Sequence, residues 1–329
     1  MTPLVTLAIP AYQRVDLLAR TLRSALAQTG LAEGQLEVLV VEDPAPAGTP
    51  APAFQPDAIA QLCRSFGDAR LRHACNPRNL GMVGNWNQCL AQARGRWVVL
   101  LHDDDWLEPD HVRRCLDLLQ AHPGLRLVGC TAWIERDGEP PRRNTGLTGP
   151  RRPWCITPFH FLIGNPFLVS GVMMDRAMAL GFGGFDDLNY PTMDSDFWLR
   201  FCEQGVAARL PQPLMHYFIG RNASLTEAML TAYIVNDYRQ RARILQQHHP
   251  AAGWLRLYSR LKPYRQRRFL EGEFRIPVRA VHVEQALQAE GWRPVPLAWR
   301  WAYLPLRALV ELRSLWTTRR LARPAETRT

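Results

Sequence analysis

The chain has 329 residues, 47% of them hydrophobic, and a formal net charge of +10. A chain of this length buries a substantial core, and no run of about 18 uncharged apolar residues offers a membrane span. The seven cysteines are scattered without a CxxC pair, which argues against a disulfide framework and for reduced thiols in a cytosolic compartment.

The opening residues, Met1 to Pro10, lack the basic start and the small-residue cleavage site of a signal peptide. Leu4 to Ile9 reads as a first strand, followed by the loop Pro10-Ala11-Tyr12-Gln13-Arg14. Val15, Leu18, Leu22, Ala25 and Leu26 recur at helical spacing. Leu36 to Val41 predicts a second strand ending in Glu42-Asp43-Pro44, and the Pro/Ala/Gly-rich stretch to Pro56 predicts a loop. Ile59 to Phe66 reads as a helix and Leu71 to Cys75 as a short strand. A helix carrying Val83, Trp86, Asn87 and Leu90 runs up to Gly95. Trp97 to Leu101 is an apolar run of the kind a fully buried strand shows. Pro109 suits the first turn of the next helix, whose face is Val112, Cys115, Leu116 and Leu119. Leu125 to Cys130 reads as a strand. This alternation implies an α/β fold with a mostly parallel sheet flanked by helices.

Past that point the pattern loosens. Glu139 to Pro153 is polar and Pro/Gly-rich and predicts a loop, Phe167 to Met174 a strand, and Gly181 to Asp186 a tight turn. Asp194-Ser195-Asp196-Phe197 opens a helix with acids in its first turn, where the helix dipole alone would favour them. Asn222-Ala223-Ser224 is a glycosylation sequon without meaning in a cytosolic chain.

The most informative segment is Leu101-His102-Asp103-Asp104-Asp105-Trp106. Three adjacent carboxylates at the C-terminal end of a buried strand face the crevice of an open α/β sheet. They repel one another unless something positive joins them, and a hard divalent cation wants such oxygen ligands. The alternative is a solvated acidic loop.

Four blocks together resemble the family 2 inverting glycosyltransferases of the GT-A fold, over roughly residues 4–226. They are Val5–Arg14, Val40–Asp43, Asn79–Asn87 leading through Gly95 to His102–Asp105, and Asp194–Arg200. The resemblance implies transfer of a sugar from a nucleotide-sugar donor, with Mg²⁺ or Mn²⁺ holding the leaving diphosphate. It assigns Asp105 as the direct metal ligand and Asp103 as the other acid of the DxD motif, bound through the ribose or a metal water. Asp104 can replace either, because the register is open by one residue. Asp43 would accept the imide N–H of a uracil or thymine base. Pro10, Ala11, Tyr12 and Arg14 would line the base and phosphate pocket, with Gly81 and Asn85 shaping the donor site. Asp194 would be the general base that takes the proton of an acceptor hydroxyl; the acceptor implied is a glycan or lipid-linked hydroxyl in surface polysaccharide or glycolipid assembly.

The chain departs from the family pattern in three places. Met193 precedes Asp194 where the family usually has Glu, which removes an acceptor-binding acid. Glu42 replaces the commoner Asp beside Asp43. Phe218 and Gly220 stand where a basic residue and a His are frequent; His216 and Arg221 are the available substitutes.

Residues 227–329 lie outside the resemblance and read as a basic, mainly helical extension. From Ala251 onward 16 Lys/Arg stand against 6 Asp/Glu, so the whole charge excess lies there. A basic cluster spans Arg260–Arg268, and Leu297–Leu321 mixes Trp299, Trp301, Trp316 and leucines with arginines. Two readings are open: docking on an anionic membrane surface, or packing on the catalytic core with a solvated basic face. Two other functions compete. A nucleotidyltransferase would need a Gly-rich, Lys-containing phosphate loop, and none is found. A nucleic-acid binder would rest on the basic tail alone, so no nucleic-acid partner is expected. The expected location is the cytoplasm, peripheral on the inner face of the membrane.

Overall fold

The computed structural model describes residues 2–46, 57–144, 149–220 and 225–317. Its first part alternates β1 (Val5–Ala11), α1 (Val15–Leu26), β2 (Leu36–Glu42), α2 (Ala58–Ser65), β3 (Leu71–Cys75), α3 (Gly81–Gln92) and β4 (Trp97–Leu100). Every residue of β1, β2 and β4 is buried, which is why these strands read as unbroken apolar runs. Then follow β5 (Trp106–Leu107), α4 (His111–Ala121), β6 (Leu127–Arg136), β7 (Glu139–Arg143), β8 (Trp154–Cys155), β9 (Val172–Asp175), α5 (Arg176–Gly181), α6 (Met193–Glu203) and β10 (Ala207–Phe218).

These strands form one mixed sheet in the order β3-β2-β1-β4-β9-β6-β10-β5. The β3-β2-β1-β4 half is parallel. β9 runs antiparallel to both β4 and β6, and β10 returns parallel to β6. Helices α1, α2 and α4 pack on one face, against Val5, Leu7 and Ile9 of β1. Helices α3 and α6 pack on the other, where Ala8 points. Because the chain leaves β1 toward β2 on one side and returns to β4 on the other, the C-terminal ends of β1 and β4 open a crevice at a topological switch point. The loop after β1 (Tyr12–Arg14) and the acidic run after β4 therefore face each other.

Two segments differ from the sequence reading. The stretch read as a loop from Glu139 holds β7, which pairs with β6 alone among the described residues; Pro140 and Pro141 are tolerated there because a marginal strand can forgo ladder donors. The rest of that stretch includes residues 145–148, outside the described residues. The strand expected from Phe167 begins only at Val172, because Gly171 takes φ +77° and breaks the extended backbone.

The C-terminal part is helical, as expected: α7 (Glu227–His248), α8 (Gly253–Phe274), α9 (Ala280–Ala289), a 3-10 turn (Leu297–Ala302) and α10 (Tyr303–Thr317). It shares its core with the sheet. Ile244, Leu245, Leu255, Leu261, Val295 and Val310 belong to the same buried cluster as Trp86, Phe161, Trp198 and Phe201. Tyr258, 1% exposed, stacks on Tyr303 with centroids 5.7 Å apart. Tyr258→Ala should cost about 3–5 kcal/mol of stability in urea denaturation. Helix content and tryptophan fluorescence should then be lost in one transition; two separate transitions would show that residues 227–317 fold on their own.

Candidate active site

The acid run is buried at the crevice floor. Asp103, Asp104 and Asp105 are 1%, 5% and 0% exposed. The amide of Leu101 donates to the Ala8 carbonyl at 3.0 Å, extending the β1–β4 pairing to the start of the run. The Asp105 amide donates to the His102 carbonyl at 3.2 Å, closing a turn that sends successive side chains in different directions. Gln13 sits at φ 61°, a left-handed conformation that costs energy for a non-glycine residue. The Arg14 amide closes that turn onto the Tyr12 carbonyl at 2.8 Å. Arg14 then pairs through its guanidinium with both Asp103 and Asp104, and the Tyr12 amide donates to Asp103 Oδ2 at 3.1 Å.

Asp105 faces the other way. Its Oδ1 accepts the Phe218 amide of β10 at 2.9 Å, and Thr21 Oγ1 donates to its carbonyl at 2.7 Å. His102 stacks on Trp86 with centroids 5.3 Å apart, and its amide donates to Ser170 Oγ at 2.9 Å. His102, Asp104 and Asp105 each bring a ligand atom into a group whose members all lie within 4.8 Å of one another. Asp103 is not in that group. The resemblance implies Asp105 and Asp103, with Asp104 able to replace either; the turn brings Asp104 and His102 toward Asp105, while Asp103 meets Arg14 and the Tyr12 amide.

The electrostatics show strain that a cation would relieve. Burial pushes Asp105 well above the ordinary carboxylate range, and the neighbouring Asp104 adds to it. Burial raises Asp103 to about 6 against the pull of Arg14. Burial also lowers His102 to about 4, which leaves its imidazole neutral and able to ligate. Asp105 Oδ2 and His102 Nε2 are buried without a hydrogen-bond partner among the described residues. Two carboxylates and a neutral imidazole fit a divalent cation.

The base-side residues form a supporting frame. Pro10 and Ala11 are buried at the end of β1, beside Val41 and Glu42, while Tyr12 is 41% exposed at the mouth. The Asp43 carboxylate accepts from the amides of Leu80 and Gly81 and from Asn76 Nδ2, each at 2.9 Å. These donors occupy most of the sites that a carboxylate offers, so Asp43 ties the start of α3 to the end of β2. Asn85, 3% exposed, links Asn76 to the Val41 carbonyl, with bonds of 3.0 Å on each side. It shapes this corner from behind.

Asp194 lies in the first turn of α6. Its Oδ2 accepts from Asn165 Nδ2 at 2.8 Å, and burial raises its pKa to about 6. Burial raises the phenol of Tyr217 on β10, and the charges of Asp105, Asp104, Asp194 and Glu273 add to the effect. Met193 is 3% exposed, an apolar core residue where the family usually carries Glu.

Helix α7 holds α6 in place. Ser195 Oγ donates to Gln240 Oε1 at 2.9 Å, and Asp196 pairs with Arg243. Asn236 Nδ2 donates to the carbonyls of Asn189 at 3.0 Å and Tyr190 at 2.9 Å. Tyr190 lines two cavities. One, of about 710 Å³, is lined by Gly81, Met82, Gly184, Asp186 and Arg200; the other, of about 890 Å³, by Leu188, Thr231, Asn236, Arg239 and Glu290. His216 bridges Glu135 at 2.7 Å and Glu108 at 3.0 Å while stacked on Trp106. Phe218 is buried beneath Arg20, 4.9 Å from the guanidinium carbon. Arg221 and the sequon at residues 222–224 lie outside the described residues.

The family resemblance assigns no role to His102, Asn165, Tyr217 or Gln240. His102 had the one available signal, its place beside the acids. The other three come to the site from distant segments.

Residues 6–180, more than half of the chain, match the family model described as Glycosyl transferase family 2. The chain therefore belongs to this family and is a glycosyltransferase. It is 29% identical over 266 residues to an uncharacterized protein of Mycobacterium tuberculosis, covering 74% of this chain and 75% of that one. It is 36% identical over 119 residues to the succinoglycan biosynthesis protein ExoO of Rhizobium meliloti, covering 36% of this chain but only 30% of that protein. The solved mannosyltransferase of Pyrobaculum calidifontis, in complex with GDP-Man and Mn²⁺, superposes with a TM-score of 0.56 at 17% identity, over 95% of this chain and 88% of that one. That likeness shows the GT-A fold.

Gln240→Ala leaves Ser195 without its acceptor and should cost about 1–2 kcal/mol of stability. Turnover should fall severalfold while the affinity for the donor nucleotide stays unchanged. An equal loss in nucleotide affinity would mean that α7 supports the whole crevice and not the Asp194 helix in particular.

Proposed function

We propose that the chain moves a sugar from a nucleoside-diphosphate sugar, UDP- or dTDP-linked, to an acceptor hydroxyl in a single inverting displacement that depends on Mg²⁺ or Mn²⁺. The observation that carries this reading is the meeting of two features. His102 and the buried acids Asp104 and Asp105 converge after β4 at the sheet's switch point, and Asp194, held by Asn165 in the first turn of α6, has a raised pKa.

In this reading His102, Asp104 and Asp105 hold the cation, with Asp105 the anchor fixed by β10. When bound, the cation supplies positive charge to the departing diphosphate. Arg14, 41% exposed along its side chain, adds a second positive group at the same edge. Asp103 keeps Arg14 and the Tyr12 amide in register, and Tyr12 offers a face on which a base can stack. Pro10 and Ala11 form the wall of the base pocket. Asp43, Gly81 and Asn85 set its rim, and an imide contact to Asp43 requires one of its present donors to give way. The mannosyltransferase neighbour was solved with GDP-Man, so the donor panel that tests the pyrimidine preference should include GDP-sugars.

Asp194 takes the acceptor's proton as the new bond forms. A pKa of about 6 suits this role, being ionised at neutral pH yet more basic than an ordinary carboxylate. Asn165 orients it, and the acceptor in this reading is a glycan or lipid-linked hydroxyl. The ExoO relative supports a place in surface polysaccharide or glycolipid assembly. Among the described residues no helix is long and apolar enough to cross a membrane; the working location we propose is the inner membrane surface, with residues 1–226 as the transfer unit and 227–329 as its extension.

Transfer should rise with pH through a limb near 6, where Asp194 loses its proton. Asp194→Asn should abolish that limb and lower turnover by about 100-fold or more, with donor binding within a few-fold. The sign for stability is opposite to that of a salt-bridged acid. The folded pKa lies above the unfolded value near 4, so ionisation costs stability as pH rises from about 4 through 6, on the order of 3 kcal/mol in all. Asp194→Asn should therefore be at least as stable as the parent at pH 7. Near-normal turnover of that variant would remove Asp194 from the mechanism.

A further inference from the structure

Helix α10 has two faces of different character. One is anchored: Tyr303, Val310 and Ser314 are 6%, 0% and 2% exposed, and Leu306 packs against the shared core. The other is apolar and open. Leu304, Leu309, Leu312, Leu315 and Trp316 are 57%, 52%, 55%, 47% and 89% exposed. With Ala308 they fall within an arc of about 140° at 3.6 residues per turn. The 3-10 turn before the helix adds Trp301, 82% exposed, and Leu297, 74% exposed. Soluble proteins rarely leave so continuous an apolar stripe open to water.

Each border of the stripe carries an arginine, with Glu311 beside one of them. Arg313 on one flank is packed over Phe159, 5.4 Å from the ring centre, and Arg300 over Tyr264 at 3.8 Å. Arg307 on the other flank pairs with Glu311 at 2.7 Å and remains 45% exposed. The sequence after the described helix continues with four Arg and one Glu in residues 318–329, and the net charge of the chain lies entirely beyond residue 250.

We propose that the outer face of α10, with Trp301 of the preceding turn, docks in the plane of an anionic lipid bilayer. Tryptophan and leucine enter the headgroup–acyl boundary and the flanking arginines meet lipid phosphates. Charge decides between the occupants. A second copy would bring two strongly basic regions together, and residues 318–329 offer Leu321 as their single large apolar side chain, too little to cover the stripe. An anionic surface satisfies both the apolar face and its basic border. The anchored face ties this docking element rigidly to the core that carries Asp194, so docking would hold the active site at a fixed height above the membrane. That purpose rests on the proposed transfer reaction and narrows its acceptor to a lipid-linked one; the docking itself does not depend on it.

Flotation of the full chain with vesicles, in the absence of nucleotide and acceptor, tests the docking separately from the chemistry. Binding to phosphatidylglycerol-rich vesicles should exceed binding to pure phosphatidylcholine and should weaken as salt rises. The triple variant Trp301→Ser, Leu312→Ser, Trp316→Ser should lose roughly tenfold in vesicle partitioning with an unchanged melting temperature, since all three side chains are exposed. Absence of flotation with either vesicle, or flotation that the variant leaves intact, would overturn the proposal. So would a dimer in solution that the variant dissociates, which would assign the face to a second copy.

Discussion

Three carboxylates in sequence, none more than 5% exposed, cannot all stay ionised in a protein interior without positive partners. Like charges about 4 Å apart repel by roughly 4 kcal/mol even at an effective dielectric near 20. The fold meets this constraint from two sides. Arg14, swung back by the turn at Gln13, takes Asp103 and Asp104. The β10 amide of Phe218 takes one oxygen of Asp105. The second oxygen of Asp105, 3.9 Å from His102 Nδ1, and the Nε2 of His102 reach no partner in hydrogen-bond geometry among the described residues, although Ser170 still favours the ionised Asp105; both residues lie in the group that converges within 4.8 Å. Much of the surrounding architecture, from the parallel β1–β4 pair to the bulged approach of β10, positions groups around that residual need.

The broad frame was readable in the sequence because fully buried strands and amphipathic helices leave unambiguous apolar patterns. β1, β2 and β4 fall where their apolar runs lie, and the acids follow β4 as expected. The direction of each acid was not readable. Strand alternation ends at Leu101, and beyond it the side chains are aimed by a turn and by partners far away in sequence, Arg14 from 89 to 90 positions upstream and Phe218 from 113 positions downstream. Asp43 illustrates the same limit. Its place after β2 invited a ligand contact, yet the amides of Leu80 and Gly81 claim its oxygens. Asn165 and Gln240 carry no local pattern, since their meaning arises only when the 3-10 region and α7 close on α6. β7 was hidden by its prolines and polar composition.

The extension has a double character that composition alone left as alternatives. Its inner faces complete the core behind α6, with Gln240, Arg243 and Asn236 fixing the segment that presents Asp194. Its last helix turns a second, apolar face outward. Packing on the core and meeting an external surface are thus compatible tasks for one element.

In the proposed reaction His102, Asp104 and Asp105 form a divalent-cation site that serves a nucleoside diphosphate. Calorimetric titration of Mn²⁺ into the chain with UDP or GDP present tests it most directly. The nucleotide should strengthen Mn²⁺ binding, and Asp105→Asn, which keeps the side-chain volume, should abolish it. Undiminished Mn²⁺ binding by that variant, or no binding by the parent chain at any nucleotide concentration, would contradict it.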